Sequence, residues 1–437
     1  MPLDSTVVPE RSRAALDQAT REYLGWFGDP VATLTTAVES DPDFALGHVF
    51  IGALRLLGGE PGRSEGVQAA LAAARRNEAK LSPWQRAHIA SLDAWAKDEI
   101  RRGVGIWEEI LIDHPRDAWA LRFAHDTYFY LADAGTMRDS IARVLPVWPE
   151  NDPLYGYLLG MHAFGLEEVG DFRQAEVKGR AAVERNPKDT WAIHAVAHVL
   201  EMEGRTIEGI GWYGDLKEHW TGAPGLAVHQ WWHLSLYLIE RGRLDEALAL
   251  YDTEIRKTGS GAILDIVDAA ALLWRLKLAG IDIGNRWQEL APHWYGHIDE
   301  HVLVFNDAHI ALVAGLAGDH ATEARLEASL GDYVAKNKGT NRDISAEVGR
   351  NLIGAIAAFA AGKFERVIEL MLPIRGQIRR IGGSNAQRDL FNQTLIAAAI
   401  NANRLPLARA LLAERVALKP NSRTARKLYD EVLARLN

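Results

Sequence analysis

Two pairs of histidines stand four residues apart, His194–His198 in HAVAHVLEM and His229–His233 in HQWWH. On a helix, residues at i and i+4 share one side, about 6 Å apart, and can chelate one ion. Glu201, three residues after His198, falls on the same face. A third run, His293, His297 and His301, repeats the four-residue step twice, although Pro292 and Gly296 interrupt it. Neither pair reads H-E-x-x-H, so the usual zinc-protease base is absent. The chain contains no cysteine. Thiolate zinc sites, iron–sulfur clusters, disulfides and a cysteine nucleophile are thereby excluded, and any metal must be held by His, Asp, Glu or backbone.

These residues need helices to position them, and the sequence supplies helices almost everywhere. Ala-rich stretches with apolar residues at i, i+3 and i+4 alternate with short Gly, Pro or Asp breaks. Gly170, Gly204, Gly242, Gly280, Gly318 and Gly362 punctuate the chain at spacings of 34, 38, 38, 38 and 44 residues. Glycine suits a helix C-terminus because it enters the left-handed region at little cost. Pro- or Asp-containing turns such as ESDPDFALG, DHPRDAWAL and ERNPKDTWA close the intervening helices. The pattern is that of tetratricopeptide repeats, paired antiparallel helices of about 34 residues. It predicts an all-α, right-handed α-solenoid of roughly ten helix pairs, read as one domain over residues 1–437 with residues 1–20 as an N-terminal arm. The loops at 58–62 and at Gly382–Gly383 are the nearest candidates for a domain cut.

Counting back from each terminal glycine places titratable residues at similar depth in successive first helices. His125 lies 10 before Gly135, His194 and His198 lie 10 and 6 before Gly204, and His233 and His309 each lie 9 before Gly242 and Gly318. Asp268 and Asp307 lie 12 and 11 before Gly280 and Gly318. First helices line the concave face of such solenoids, so these residues are expected to share a groove. The expected metal ligands are His194, His198, His229 and His233, with Asp268 and His309 completing or orienting the shell. Zn, Mn or Fe would suit such a set. Glu201 or His125 would act as general base on a metal-bound water, and Arg388 would read an anionic group by its fork. The bland alternative keeps each histidine as a satisfied core residue, lets Asp265 and Asn306 cap helices, and pairs carboxylates with Arg275 or Arg388. Fourteen tryptophans are read mainly as inter-repeat core, with Trp231 and Trp232 as walls of an apolar pocket.

Seven blocks in order, FAHDTYFY, HAVAHVLEM, HQWWH, LDIVDAAALLWRL, HVLVFNDAH, GGSNAQRDLFNQ and LKPNS, resemble the tetratricopeptide repeat protein 38 family over most of the chain from about residue 20. Gln230 and Trp231 stand where that family often has Asn and an aromatic. The resemblance implies a tetratricopeptide-like solenoid and supplies no reaction. Its blocks coincide with the histidine and carboxylate positions found from the repeat register, and add Gln387, Arg388 and Asp389.

The leading expectation is a metal-dependent hydrolase acting on a small amide or ester in the concave groove. The same ligand set fits a non-haem oxidative site. A protein-binding scaffold without catalysis is the alternative of a different class. A metal-free acid–base enzyme using His125–Asp126 or Asp307–His309 is a further one. With 58 acidic and 49 basic residues the net charge is −9, which argues against a nucleic-acid partner. The first residues lack an apolar signal core and no run of 18 apolar residues occurs, so a cytoplasmic protein without membrane spans is expected. A homodimer is compatible with the exposed ends of a solenoid.

Overall fold

The computed structural model describes residues 10–436, apart from the side chain of Arg11. All regular structure among the described residues is helical. Residues 1–9 of the expected N-terminal arm lie outside the described residues, and the rest of it enters the first helix.

The chain divides into two compact units. The first comprises Met1–Val196 with Glu218–Leu226 and Lys338–Asn341. Its helices are α1 (Glu10–Gly25), α2 (Pro30–Ser40), α3 (Ala45–Leu57), α4 (Glu65–Ala74), α5 (Pro83–Ala96), α6 (Ile100–Asp113), α7 (Ala118–Leu131), α8 (Ala134–Val144), α9 (Tyr155–Glu168) and α10 (Phe172–Arg185). The division falls inside α11 (Thr190–Met202), between Val196 and Ala197. The single turn α13 (Lys217–Trp220) follows α12 (Thr206–Asp215). The second unit continues through α14 (Ala227–Glu240), α15 (Leu244–Leu250), α16 (Ile263–Leu278), α17 (Arg286–Leu290), α18 (Val304–Ala317), α19 (His320–Lys336), the part of α20 (Thr340–Ile344) from Arg342 on, α21 (Arg350–Ala360), α22 (Phe364–Met371), α23 (Asn385–Asn401), α24 (Leu405–Leu418) and α25 (Arg423–Leu436).

The pairing follows from the helix ends. Gly170, Gly204, Gly242, Gly280, Gly318 and Gly362 all adopt positive φ, between 70° and 87°. At each, the next backbone N–H closes a six-residue turn on the helix it leaves, as Arg205 N to Leu200 O at 2.8 Å and Asp319 N to Ala314 O at 2.9 Å. Except after Gly280, the residue after the glycine is the N-cap of the next helix: Asp171 and Asp319 cap it with their carboxylates. Arg205 and Arg243 occupy the same position and instead reach Glu208 and Glu246 three residues on. Gly135 departs from the sequence reading. It lies inside α8, and Ala132 takes the left-handed position at φ 51°. Asp98 and Asn403 do the same after α5 and α23.

Each unit has an extensive apolar core. In the first, Trp119 stacks on Phe50 at 4.2 Å and its Nε1 donates to Thr20. In the second, α14, α16, α18 and α21 pack in succession, and α16 also packs against α23. There Trp274 Nε1 donates to Thr394 Oγ1 at 2.9 Å across 120 residues of sequence. No helix among the described residues is long and apolar enough to cross a membrane.

Candidate metal centre

Helices α11 and α14 carry the two H-x-x-x-H pairs, so each pair is on one face by construction. Tyr237, one turn beyond His233, donates its hydroxyl to Ala197 O at 2.6 Å, immediately before His198. This bond draws α14 against the end of α11 that belongs to the second unit. Gly209 on α12 leaves room for it: a Cβ there would stand 2.3 Å from the Tyr237 ring.

Ligand atoms of His198, His229 and His233 lie within 4.8 Å of one another. The His198 and His233 rings are 4.4 Å apart, and those of His229 and His233 4.7 Å. All three residues are buried. Two have a carboxylate behind them: His229 Nδ1 donates to Asp268 Oδ2 at 2.8 Å, and His233 Nδ1 to Glu201 Oε2 at 3.2 Å. A carboxylate oxygen accepts, so these bonds place the protons on Nδ1 and make Nε2 the ligand atom of each ring. Trp232 stacks on the His229 ring at 5.2 Å, and the Arg275 guanidinium lies over Trp232 at 5.2 Å. Burial pushes the His233 imidazole well below its ordinary range, and the neighbouring His198, His229, Arg275 and Lys419 add to the shift. Burial raises the Asp268 carboxyl, with His229 opposing. Imidazoles with carboxylates at their outer nitrogens fit a borderline divalent ion such as zinc.

Glu201 is also a wall of a cavity of about 660 Å³ in the second unit. Its second oxygen, Oε1, accepts from Lys419 Nζ at 3.4 Å. Asp389 and Arg415 face the same cavity and form a two-point ion pair, one contact being Arg415 Nη2 to Asp389 Oδ2 at 2.8 Å. Burial works against the Asp389 charge, yet Arg415 and Lys419 hold its carboxyl far below the usual range.

His194 stands one turn before His198 on α11, and the remaining residues singled out from the sequence fall elsewhere. The His194 ligand atom lies within the same 4.8 Å of that of His198; the residue belongs to the first unit, where it stacks on Phe164. His309 donates Nδ1 to Phe305 O at 2.7 Å and packs against Phe305 and Phe391; burial lowers it to about 4. Asp307 meets His301 at 3.2 Å, so Asp307 and His309 do not pair. Arg388 donates to the carbonyl of Gly383 and to Asn385 Oδ1, which ties its fork to the loop before α23. The third histidine run is broken. Residues Ala291–His297 form a 3₁₀ helix and His301 has φ 49°. Asn306 lies inside α18, whose cap is Leu303. His125 and Asp126 belong to the first unit, where Asp126 accepts from Tyr23 and Arg122. Sequence reasoning missed Tyr237, Lys419 and the Asp389–Arg415 pair; Lys419 sat in the LKPNS block without a role.

No family model matches the chain. It is similar in fold to a structure described as a human IFIT1 dimer with m7Gppp-AAAA, at 14 % identity and TM-score 0.41 over 96 % of this chain and 99 % of that one. It is similar to yeast Tom70 at 11 % identity and TM-score 0.35 over 97 % and 96 %. A structure of Naa15/Naa10 bound to HypK-THB matches at 12 % identity and TM-score 0.27, over 97 % of this chain and 67 % of that one.

Proposed function

We propose that this is a helical-repeat binding protein whose second unit holds one divalent transition-metal ion, zinc in the first instance, on His198, His229 and His233. The observation that carries the reading is the pair of carboxylates behind the rings, Asp268 on His229 and Glu201 on His233. Core histidines are satisfied by any acceptor, as His309 is by a carbonyl. Two adjacent rings each fixed from behind, with ligand atoms within 4.8 Å of that of a third histidine, are the arrangement that orients metal ligands. Elemental analysis of the untagged protein tests it. About one equivalent of Zn, Mn or Fe is expected, lost in H198A and H233A with the helical circular dichroism retained. A metal-free wild-type protein that also fails to take up zinc in titration refutes it.

A second reading is metal-dependent hydrolysis of a small amide or ester, and the cavity at Glu201 favours it. A bound ion supplies a water of lowered pKa. Glu201, already shared between His233 and Lys419, would hold a proton at Oε1 on the cavity side. Turnover of nitrophenyl esters or small amides by zinc-loaded protein, abolished in E201Q, would support this reading over binding alone. The seven sequence blocks support placing the chain with the tetratricopeptide repeat protein 38 family. The net charge of −9 supports a partner other than nucleic acid, in a cytoplasmic setting and as a monomer or homodimer.

A further inference from the structure

We propose that Arg122 forms the floor of a binding site for a small carboxylate in the first unit, covered by Trp26 and Trp191. Arg122 lies on α7 and its side chain is fully buried. Its Nε donates to Asp126 Oδ2 at 3.0 Å, an oxygen that also accepts from the Tyr23 hydroxyl at 2.6 Å. Its two terminal nitrogens are buried and have no hydrogen-bond partner among the described residues. A guanidinium taken out of water demands acceptors at those positions, since buried charged donors are the most expensive groups to leave unsatisfied.

Aromatic rings surround the cation, and of these only the Tyr23 hydroxyl, already donating to Asp126, offers it an acceptor. The guanidinium carbon is 4.5 Å from the Trp191 ring, 5.5 Å from Tyr23 and 5.6 Å from Trp26. The indole Nε1 atoms of Trp26 and Trp191 are themselves buried without partners, as are both ring nitrogens of His125. Asp189 Oδ2 is a buried acceptor without a hydrogen-bond partner in the field of Arg122, but the N–H groups of the two terminal nitrogens and the two indoles outnumber it. A flat oxyanion meets that surplus, because its two oxygens match the fork of the terminal nitrogens. Asp126 already meets the charge of Arg122, so the site tolerates little added negative charge, and a carboxylate brings one where a phosphate dianion brings two. Aromatic walls favour a carboxylate carried on an apolar body.

Trp26 is placed to admit such a ligand. It follows the last residue of α1, is only half-buried, and precedes the exposed residues Phe27, Gly28 and Asp29. It stacks on Trp191 at 5.8 Å with the planes 9° apart. Its backbone sits at φ 57°, a region that large side chains avoid. Gly225 closes against it: a Cβ there would stand 2.9 Å from the Trp26 ring. A strained surface tryptophan over a buried cation is a cover that can lift.

Benzoate, acetate, inorganic phosphate and chloride, titrated into the full-length protein at constant ionic strength, test the proposal through tryptophan fluorescence and Tm. Benzoate is expected to give a saturable fluorescence change and a Tm that rises with its concentration, acetate a weaker one, and chloride neither. R122K keeps the charge and loses the fork, and should weaken benzoate at least tenfold. W26A leaves the buried cation in place and should weaken it at least threefold, so the proposal stays testable if R122K does not fold. It is overturned if benzoate acts no differently from chloride on the wild-type protein, if W26A and any folded R122K bind benzoate as tightly as wild type, or if phosphate binds more tightly than benzoate.

Discussion

Asp189 offers a stability measurement with a defined pH window. It is 1 % exposed, and its Oδ1 caps α11 by accepting from Ala192 N at 3.0 Å. Its Oδ2 is buried without a hydrogen-bond partner among the described residues. Burial raises the carboxyl from 3.8 to about 7, against the lowering effects of the Ala192 N–H, Arg122 and the Trp191 N–H. Between those two values the folded chain keeps a proton that the unfolded chain has released. Stability therefore falls as pH rises through that window, and the loss is complete above about pH 7. The ceiling is about three pKa units, or roughly 4 kcal/mol. D189N keeps the capping oxygen and removes the ionisation. Urea denaturation followed by tryptophan fluorescence should show wild type and D189N alike near pH 4, with D189N pulling ahead by up to a few kcal/mol at pH 8. A difference that stays constant from pH 4 to 8 would refute the assignment, since a lost cap or altered packing has no such pH profile.

Four further outcomes follow from the structure. E201Q and D268N should each weaken zinc about 10- to 100-fold in competition with a chromophoric chelator, with helicity unchanged. G209A should cost about 1–3 kcal/mol in denaturation, because the new methyl overlaps the Tyr237 ring, and should weaken metal binding by shifting α14. R415M leaves only Lys419 and Gln393 to answer the buried Asp389 charge and should lower stability by about 3 kcal/mol, an effect largely relieved in D389N/R415M. A132G relieves a left-handed alanine at φ 51° and should raise stability by about 0.5–1 kcal/mol.

Local signals carried the fold and long-range choices hid part of the site. Six glycines announced six helix ends because left-handed backbone selects them. Ala132, Asp98 and Asn403 make the same turn with ordinary residues, so the glycine period is silent there and Gly135, inside α8, imitates a terminus. The i, i+4 histidines were legible because helix geometry alone sets their spacing. Their partners were legible only in part. Asp268 stands in register with His229, whereas the choice of His233 by Glu201 depends on the Tyr237–Ala197 bond, which no spacing encodes. Arg388 illustrates the opposite error: a fork suited to an anion is equally served by loop carbonyls a few residues away.

The contact of α16 with α23 has a consequence for how the second unit can change over evolutionary time. A simple repeat array tolerates gain or loss of a module, because each module answers only to its neighbours. Here Trp274 bonds to Thr394, and Arg275 donates to Ala386 O at 2.8 Å, across the repeats between them. Deleting or duplicating one of those repeats would misalign both bonds at once. The number of modules between α16 and α23 is therefore locked, and the segment should melt as one cooperative block rather than fray from an end.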